Sequence, residues 1–441
     1  MSKRSKEKKK MNKLEFGFTI FSLIFLIGFS CFYAYRLFYY KNKLAPKTDD
    51  GKKIVLLSDI IKEKVTTTND GLYNEENNFI FKGNKVNNYI QYANMLFRIV
   101  KVNKDNSIDI VLDEPINYLS YDLEKTNYYE SNLRKYLNED FYNNISSNLL
   151  IKSPYCIDSI KDPNKITCNN IKVDAVKLLS VSDYLNSKKD GISYLTNDGT
   201  SWLLNNNTES VYSLTNGNLS YSKPNEIHQV KPVITLNNLI SYKEGDGSQE
   251  NPYTIDTDKI YFASYVKLDN DLYRVYETKD NILKLQLEFI YKNGDIKNEL
   301  SKTTNTFTNE EGLGNYLNTT VYNTLTYKDL LEECETYTGE YISNYENVKN
   351  TSIKNKIVIN NILDPIFNKE KNNYYLSTPY ETDKSYIFNE KLYPTKANIV
   401  RNISFSICID KNKLTKGKGT KEEPYTVVNE VQEWEKQLYY Y

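Results

Sequence analysis

Residues 89–112 read YIQYANMLFRIVKVNKDNSIDIVL. Apolar and polar side chains alternate from Leu96 to Val102, and alternate again through Ile108, Ile110 and Leu112. Alternation with a period of two predicts β-strands that bury one face. The Lys104-Asp105-Asn106 segment between the two runs contains residues that favour turns. The stretch therefore predicts a β-hairpin.

The same pattern returns at residues 265–287, which read YVKLDNDLYRVYETKDNILKLQL. Other blocks recur in the same order: Leu133, Tyr136-Leu137-Asn138 and Tyr142-Asn143 as Leu313, Tyr316-Leu317-Asn318 and Tyr322-Asn323; Trp202-Leu203 as Tyr375-Leu376; Gly245-Asp246-Gly247-Ser248 and Pro252-Tyr253-Thr254 as Gly417-Lys418-Gly419-Thr420 and Pro424-Tyr425-Thr426. The spacing is far longer than that of solenoid repeats. It predicts two diverged copies of one domain, each with its own core.

A helix is expected between the hairpin and the later strands of each copy. Ser131 is a good N-cap, and Leu133, Tyr136, Leu137 and Phe141 then share one face of the helix. Short strands joined by Asn/Gly/Ser turns are expected in 175–182, 210–222 and 230–236. The fold class predicted for the outward part is α+β with an antiparallel sheet.

The N-terminal segment Phe16–Tyr35 contains no charged residue. At about 1.5 Å per residue it would span about 30 Å, the hydrocarbon thickness of a bilayer. Basic residues precede it, which by the positive-inside rule predicts a cytoplasmic N-terminus and a single-pass cell-membrane protein with extracellular domains. A cleaved signal peptide is the alternative, but no small-x-small cleavage site follows. The boundaries expected are 1–13 for a basic tail, 14–40 for a transmembrane helix, 41–78 for a short helix and linker, 79–255 and 256–428 for the two copies, and 429–441 for a C-terminal tail.

Charge and cysteine spacing exclude several classes of function. Lys+Arg and Asp+Glu both number 57, so no global electrostatic attraction to nucleic acid is expected. None of the five cysteines forms a Cys-x-x-Cys pair, which argues against zinc. Cys156 and Cys168 could form a disulfide or remain free thiols. No metal or other cofactor is expected.

A family resemblance rests on five blocks of the first copy: Phe97-Arg98-Ile99; Leu133-Arg134-Lys135-Tyr136-Leu137-Asn138 with Phe141-Tyr142; Leu178-Leu179-Ser180; Ser201-Trp202-Leu203-Leu204; and Val230-Lys231-Pro232-Val233. These blocks resemble a widespread bacterial extracellular domain of unknown function. The chain is also similar to anchored proteins of low-GC Firmicutes and Mollicutes relatives. The resemblance implies an architecture related to the C-type-lectin and formylglycine-generating-enzyme folds. It transfers no activity.

Ligand-binding residues are expected in the first copy. The resemblance implies a role for Arg134 and for Lys231, where the family has an arginine, and Trp202 could line a sugar- or peptide-binding face or lie in the core. The second copy has Gly314 and Ser404 at the corresponding places.

Catalytic motifs are missing from the sequence. His228 is the only histidine, so a Ser-His-Asp arrangement is possible in one copy at most. Asp269-Asn270-Asp271 and the Gly245–Ser248 segment could offer oxygen ligands to calcium, although turns explain both. The sequence therefore predicts a membrane-anchored, non-catalytic surface module that binds glycan, peptidoglycan or protein. The alternative is a hydrolase or glycan-modifying enzyme that uses first-copy carboxylates such as Asp174, Asp183 or Glu209.

Overall fold

The hairpin expected at residues 89–112 forms, with Phe97 opposite Leu112 and Val102 opposite Ile108 in antiparallel register. Asn106 adopts a left-handed conformation in the turn, with φ 70°. The computed structural model describes residues 28–30, 32, 54–196, 198–289, 312–341, 345–367, 373–381, 383–397, 399 and 401–427. Residues 56–255 are called the first half below, and residues from 256 onward the second half.

The first half is built mainly from strands. Its strands are β1 (Gly71–Glu75), β2 (Asn78–Lys82), β3 (Tyr89–Tyr92), β4 (Met95–Val102), β5 (Ile108–Leu112), β6 (Asn117–Ser120), β7 (Leu150–Ile151), β8 (Ser153–Cys156), β9 (Ile171–Asp174), β10 (Val176–Leu178), β11 (Thr200–Asn206), β12 (Val211–Thr215), β13 (Asn218–Ser222), β14 (Ile227–Val230), β15 (Pro232–Leu236), β16 (Tyr242–Glu244) and β17 (Thr254–Ile255). Its helices are α1 (Leu57–Lys62), α2 (Asn132–Tyr136), α3 (Tyr142–Ile145) and α4 (Val181–Asn186), with a π-helical turn at Leu137–Phe141 and a 3-10 turn at Tyr128–Glu130.

Two sheets form the body of the first half. The larger has the order β1-β2-β4-β5-β15-β10, with β3 also paired to β4 and β7 to β15. The smaller has the order β13-β12-β11-β14-β6. Strands β14 and β15 lie in different sheets and are separated only by Lys231. That residue therefore lies where the chain passes from one sheet to the other.

The second half has a similar set of elements. Its strands are β18 (Tyr265–Leu268), β19 (Asp271–Lys279), β20 (Ile282–Leu287), β21 (Leu331–Glu332), β22 (Cys334–Tyr337), β23 (Ser352–Asn355), β24 (Ile357–Ile359), β25 (Tyr374–Glu381), β26 (Lys384–Asn389), β27 (Lys391–Lys396), β28 (Phe405–Asp410), β29 (Leu414–Lys416) and β30 (Tyr425–Val427). Its helices are α5 (Gly312–Tyr316), α6 (Tyr322–Thr324) and α7 (Tyr345–Lys349), with a π-helical turn at Leu317–Val321 and 3-10 turns at Lys328–Leu330 and Lys411–Lys413.

Strand pairing follows the same plan in both halves. The pairs β3·β4, β4·β5, β5·β15, β15·β10 and β15·β7 recur as β18·β19, β19·β20, β20·β28, β28·β24 and β28·β21. The meander β11-β12-β13 recurs as β25-β26-β27. This shared topology supports the duplication inferred from the sequence, whose exact boundaries remain a prediction.

In each half, the asparagine of the recurring Leu-Asn pair bonds the helical segment to a strand of the sheet. The Asn138 side chain donates to the carbonyl of Val176 (2.9 Å) and accepts from the Val176 N–H (3.0 Å). Asn318 does the same with Ile357, at 2.9 Å in both directions. The side-chain amide thus pairs both backbone groups of one strand residue, and the Val176 carbonyl also accepts from the Tyr128 hydroxyl at 3.0 Å.

The two halves pack into one compact unit, Leu56–Tyr441. The core of the first half includes second-half side chains such as Tyr345, Leu363 and Phe388. Polar contacts reinforce the junction: the Asn117 amide donates to the carbonyl of Ile362 at 3.0 Å, and Ser120 and Tyr341 share a 2.6 Å hydrogen bond between hydroxyls. The second half also has a separate core cluster that includes Val275, Leu285 and Ile407. The first-half core therefore extends across the junction, while the second half keeps a core of its own.

The predicted α+β class with a transmembrane helix is wrong. Strands take 43% of the structure and helices 17%, because the helices are short and the Tyr- and Ile-rich segments pair in sheets. Among the described residues, no helix has the length and apolar character needed to cross a membrane. The transmembrane segment predicted at 14–40 lies almost wholly outside the described residues, as does the tail predicted at 429–441. The predicted single-pass anchor is therefore not supported, and neither is the cell-membrane localisation that was based on it.

Part of the segment that was predicted to be a linker is instead a strand, because β1 pairs with β2 inside the larger sheet. The Asp70 carboxylate fixes this region by accepting from the backbone N–H groups of Asn84 (2.9 Å) and Lys85 (3.0 Å). Strand pairing and this carboxylate outweigh the polar composition from which a linker was inferred.

Candidate functional site

A groove runs along the junction of the two halves, on both sides of the segment 113–115 that follows β5. One depression has a volume of about 1190 Å³ and the other about 630 Å³, and both are lined by Asp113, Glu114 and Pro115. The larger is also lined by Glu390 and Lys391 at the β26–β27 turn. We call the two depressions together the junction groove. Its size suits an extended ligand better than a single small molecule.

Lys231 is the distinctive charge in the junction groove. Its side chain lines the larger depression, and its ammonium makes no hydrogen bond or ion pair with any described residue. Burial lowers the pKa of Lys231 to about 8, although the Asp113 carboxylate opposes this shift. A partly buried ammonium without a bonded partner has lost hydration that a ligand acceptor could replace.

His228 lines the same depression. Its Nε2 lies 2.8 Å from the Ser222 hydroxyl oxygen and 3.2 Å from a carboxylate oxygen of Glu226. Burial lowers the pKa of His228 below its ordinary value, while Glu226 works to raise it. Both contacts are made by the same ring nitrogen, whereas a catalytic triad uses one nitrogen for the serine and the other for the carboxylate. Among the described residues, these contacts therefore do not form a triad.

Trp202 lies behind this wall of the groove. Its side chain is 1% exposed, its indole N–H donates to the Leu119 carbonyl at 2.8 Å, and its ring centroid is 4.5 Å from that of His228. Trp202 is therefore a core residue that supports His228, and its ring lines no open surface.

Arg134 lies apart from the junction groove and is held in an ion pair. Its Nε and one Nη each donate to Asp174 at 2.6 Å, and the Tyr155 hydroxyl donates to the same carboxylate. Hydrogen bonding to Asp174 raises the pKa of Arg134 above its ordinary value. This bidentate pair joins α2 to β9. Of the three predicted ligand residues, only Lys231 borders a cavity large enough for an extended ligand.

The four cysteines that the structure describes form two disulfides. Cys156 is bonded to Cys168 with Cα atoms 5.7 Å apart, and Cys334 to Cys408 with Cα atoms 5.3 Å apart. The one group of metal-type ligands found within 4.8 Å of one another in the described residues is Cys156, Asp158 and Cys168. Its sulfurs are joined to each other, so they are not available as thiolates.

The segments that could offer oxygen ligands to calcium form turns. The Asp246 side chain accepts from the Ser248 N–H at 2.8 Å, and Gly245 adopts a left-handed conformation with φ 101°. The place of a Gly245 Cβ would lie 2.1 Å from the Pro252 carbonyl oxygen, which explains the glycine. Gly417 repeats this arrangement against Pro424.

The first-copy carboxylates considered for hydrolysis do not assemble into a pair. Asp174 is ion-paired with Arg134. Asp183 forms a capping box with the N-cap residue Ser180 at the start of α4, and it pairs with Lys101 at 2.8 Å. Glu209 is exposed in the turn before β12. These contacts describe structural ion pairs and caps.

A second site, which the sequence did not indicate, is a cavity of about 280 Å³ between the halves. Three of its carboxylates are Asp140 from the first half and Glu277 and Asp364 from the second. Burial raises the pKa of Asp364 to about 6 against the attraction of Lys284, and burial also raises the pKa of Asp140. We call this site the acidic cavity. Its residues are far apart in the chain, and no motif links them.

No family model, curated protein or solved structure matches this chain. The resemblance to a bacterial extracellular domain family therefore remains a prediction.

Proposed function

We propose that this protein is a non-catalytic binding module whose junction groove holds a hydroxyl-rich polymer of the glycan class. The observation on which this proposal depends is Lys231, an ammonium that lines a cavity of about 1190 Å³ and bonds to no described residue.

The composition of the groove wall favours a glycan over an apolar peptide. The larger depression combines acceptor carboxylates such as Asp113 with the amides of Asn216 and Gln229 and the ammonium of Lys231. A sugar hydroxyl both donates and accepts, so it can satisfy either kind of group. Recognition of a peptide would be expected to use apolar pockets or a free strand edge.

The absence of catalytic geometry among the groove residues supports binding without turnover. His228 is occupied by Ser222 and Glu226, and Asp113 lies 3.9 Å from an Arg98 nitrogen. The alternative, a hydrolase using first-half carboxylates, receives less support because Asp174 and Asp183 are paired with cations.

The test is binding of the full chain to an array of polysaccharides, peptidoglycan fragments and peptides, with Lys231→Met as the informative variant. Loss of a charged hydrogen bond costs about 1.5–3 kcal/mol, so we expect glycan affinity to fall about tenfold or more. Lys243→Met is the matched control, because Lys243 is exposed on β16.

Three results would overturn the proposal: equal glycan affinity in Lys231→Met and wild type, retention of peptides alone, or the appearance of new reducing ends during incubation. Lys231→Met should fold normally, because methionine fills the same space without the cost of burying a charge. Circular dichroism of both variants separates loss of binding from loss of structure.

A further inference from the structure

The strand at the free edge of the smaller sheet, β13, is uncharged. Among the described strands it pairs only with β12. Its five residues read NLSYS, without a charged side chain or a proline. Tyr221 is 49% exposed and Asn218 is also exposed, so the strand lies at the molecular surface. An edge strand of this kind offers a template on which another strand can pair.

The backbone of β13 has hydrogen-bonding groups that no described residue uses. The β12–β13 turn at 216–217 is a two-residue loop with positive φ at both positions, so its flanking residues, Thr215 and Asn218, exchange hydrogen bonds. Bonded and non-bonded pairs alternate along an antiparallel ladder. The N–H and C=O groups of Leu219 and Tyr221 therefore point away from β12, and they have no hydrogen-bond partner in the described part of the chain.

Neighbouring sheet edges in the first half are covered by other parts of the chain. Beside β1, the Thr66 N–H donates to the Leu72 carbonyl at 2.8 Å. Beside β6, the Ser120 N–H donates to the Tyr341 hydroxyl at 2.9 Å. Cover of this kind keeps a sheet from pairing with a strand of another molecule. No described segment bonds to β13 in this way, so that edge is available.

The corresponding edge of the second half is protected by its own side chains. Strand β27 occupies the place of β13 in the second meander. It carries Lys391, Pro394 and Lys396, all of them exposed. Proline removes a backbone donor and lysine resists burial at an edge, so both residues block strand pairing. The duplicated domain thus contains one blocked and one open version of the same edge.

The open strand is complementary to itself. When two copies run antiparallel with Ser220 opposite Ser220, each Leu219 lies opposite the partner's Tyr221. These are the residues with outward backbone groups, so each such pair exchanges hydrogen bonds in both directions. Pairs of aliphatic and aromatic side chains stabilise neighbouring strands. Lys223, the first charged residue after the strand, then lies opposite Gly217, so no like charges face each other in the paired segment.

We propose that two copies of this chain pair through β13, antiparallel and centred on Ser220, so that their two smaller sheets become one continuous sheet. The same surface serves both copies, which closes the assembly at a dimer. Each copy contributes one strand of 5 residues, so the contact belongs to the weak, transient class of interfaces. The proposal does not depend on glycan binding, because Leu219 and Tyr221 do not line the junction groove.

The test is sedimentation velocity of the full chain over a range of concentrations, combined with amide hydrogen exchange. We expect reversible dimer formation with a dissociation constant on the order of 100 μM. The Leu219 and Tyr221 amides should exchange fast in the monomer and slowly in the dimer, because the partner strand supplies their acceptors. The Ser220 amide, which faces β12, should be protected at every concentration.

Charge substitutions at Ser220 test the register. Ser220→Lys places two ammonium groups opposite each other at the two-fold axis, and Ser220→Glu does the same with carboxylates, so each should weaken self-association severalfold. An equal mixture of the two variants should dimerise at least as strongly as wild type, because opposite charges then face each other. Thr395→Lys, on β27, is the matched control and should leave dimer formation unchanged.

Tyr221→Pro tests the contribution of the backbone. Proline removes the Tyr221 N–H, which donates to the partner strand in the dimer but points away from β12 in the monomer. Self-association should fall about tenfold or more. Circular dichroism of the variant should match that of wild type, because the monomer loses no hydrogen bond.

The proposal is overturned if the chain stays monomeric at about 1 mM, if Ser220→Lys and Ser220→Glu alone dimerise as well as their mixture, or if the Leu219 and Tyr221 amides exchange equally at all concentrations. It is also overturned if the chain remains monomeric and its β13 amides are protected instead by an added uncharged Thr-Val-Thr-Val-Thr peptide. That result would show that the edge accepts a strand of another protein rather than a second copy.

Discussion

Asp109 in the first half and Lys284 in the second occupy the same place in their sheets. Asp109 lies opposite Thr235 on β15, and Lys284 lies opposite Cys408 on β28. Asp109 forms a buried ion pair with Lys177 at 3.1 Å, whereas Cys408 in the second half is bonded to Cys334. Both halves therefore hold a charge pair at this place, since Lys284 pairs with Glu277 at 3.5 Å, and the second half adds a covalent bond between its strands.

We expect the two disulfides to differ in reactivity and in contribution to stability. Cys334 and Cys408 are 0% and 3% exposed, whereas Cys168 is exposed. Mild reductant followed by alkylation and mass spectrometry should label Cys156 and Cys168 first.

Removing Cys334–Cys408 by a double alanine substitution should cost about 4 kcal/mol on the chain-entropy relation, against about 3 for Cys156–Cys168. The difference arises because the enclosed segments span 74 and 12 residues. Chemical denaturation of the two double variants measures it. Equal losses, or labelling of the buried pair first, would contradict the expected order.

Asn138→Ala should destabilise the protein by about 1–3 kcal/mol, because the Val176 N–H loses its side-chain acceptor while the Val176 carbonyl keeps the Tyr128 hydroxyl. Asn318→Ala should have a loss of similar size through Ile357. Urea midpoints measure both effects, and Asn207→Ala, in the turn before β12, is a comparison outside this motif. A neutral result at Asn318 alone would show that the helix attachment is not equivalent in the two halves.

Trp202→Ala should act through stability, because the ring is buried and lines no surface. Truncating a buried tryptophan costs about 3–5 kcal/mol. Thermal unfolding should show a large decrease in midpoint. Trp202→Phe keeps most of the volume but loses the indole hydrogen bond to Leu119, so its decrease should be smaller. A fully stable Trp202→Ala that has lost ligand binding would instead support a contact role for the ring.

The buried carboxyl of Asp364 should make the folded protein less stable as the pH rises. Its pKa rises from 3.8 to about 6 in the folded protein, so the folded state holds this proton more tightly than the unfolded state. Stability from this group is therefore present below about pH 4 and is lost as the pH rises towards 6. The loss is at most about 3 kcal/mol.

Asp364→Asn removes that dependence and should make the protein more stable than wild type at pH 8, with little difference at pH 4. Urea denaturation of both proteins at the two pH values gives the comparison. If the variant is equally stable or less stable at pH 8, the carboxylate is better solvated or better paired than its surroundings indicate.

Local sequence patterns predicted local structure well. Alternation and turn residues predicted the β4–β5 hairpin, and Ser131 is the N-cap of α2, accepting from the Arg134 N–H at 3.1 Å. The same local reasoning failed for residues 71–75, which are polar but pair in a sheet. Composition cannot show that a partner strand is present, because pairing depends on residues elsewhere in the chain.

For the functional residues too, local sequence patterns predicted only the features that depend on nearby residues. Lys231 was found because it stands in a short motif, but that motif did not show that its ammonium lies in a groove without a bonded partner. The acidic cavity brings together Asp140, Glu277 and Asp364, which lie more than eighty residues apart along the chain. No short-range pattern could have connected them, and the raised pKa values of Asp140 and Asp364 follow from burial that only packing produces.

By itself, the sequence determined the recurring hairpin, the helix that follows it and the order of repeated blocks, because these depend on neighbours a few residues apart. The tertiary structure decided that second-half side chains complete the first-half core, that Trp202 is buried, and that carboxylates from both halves line one cavity. The physical reason is that burial and charge pairing depend on which distant segments meet, and each half supplies only part of those contacts.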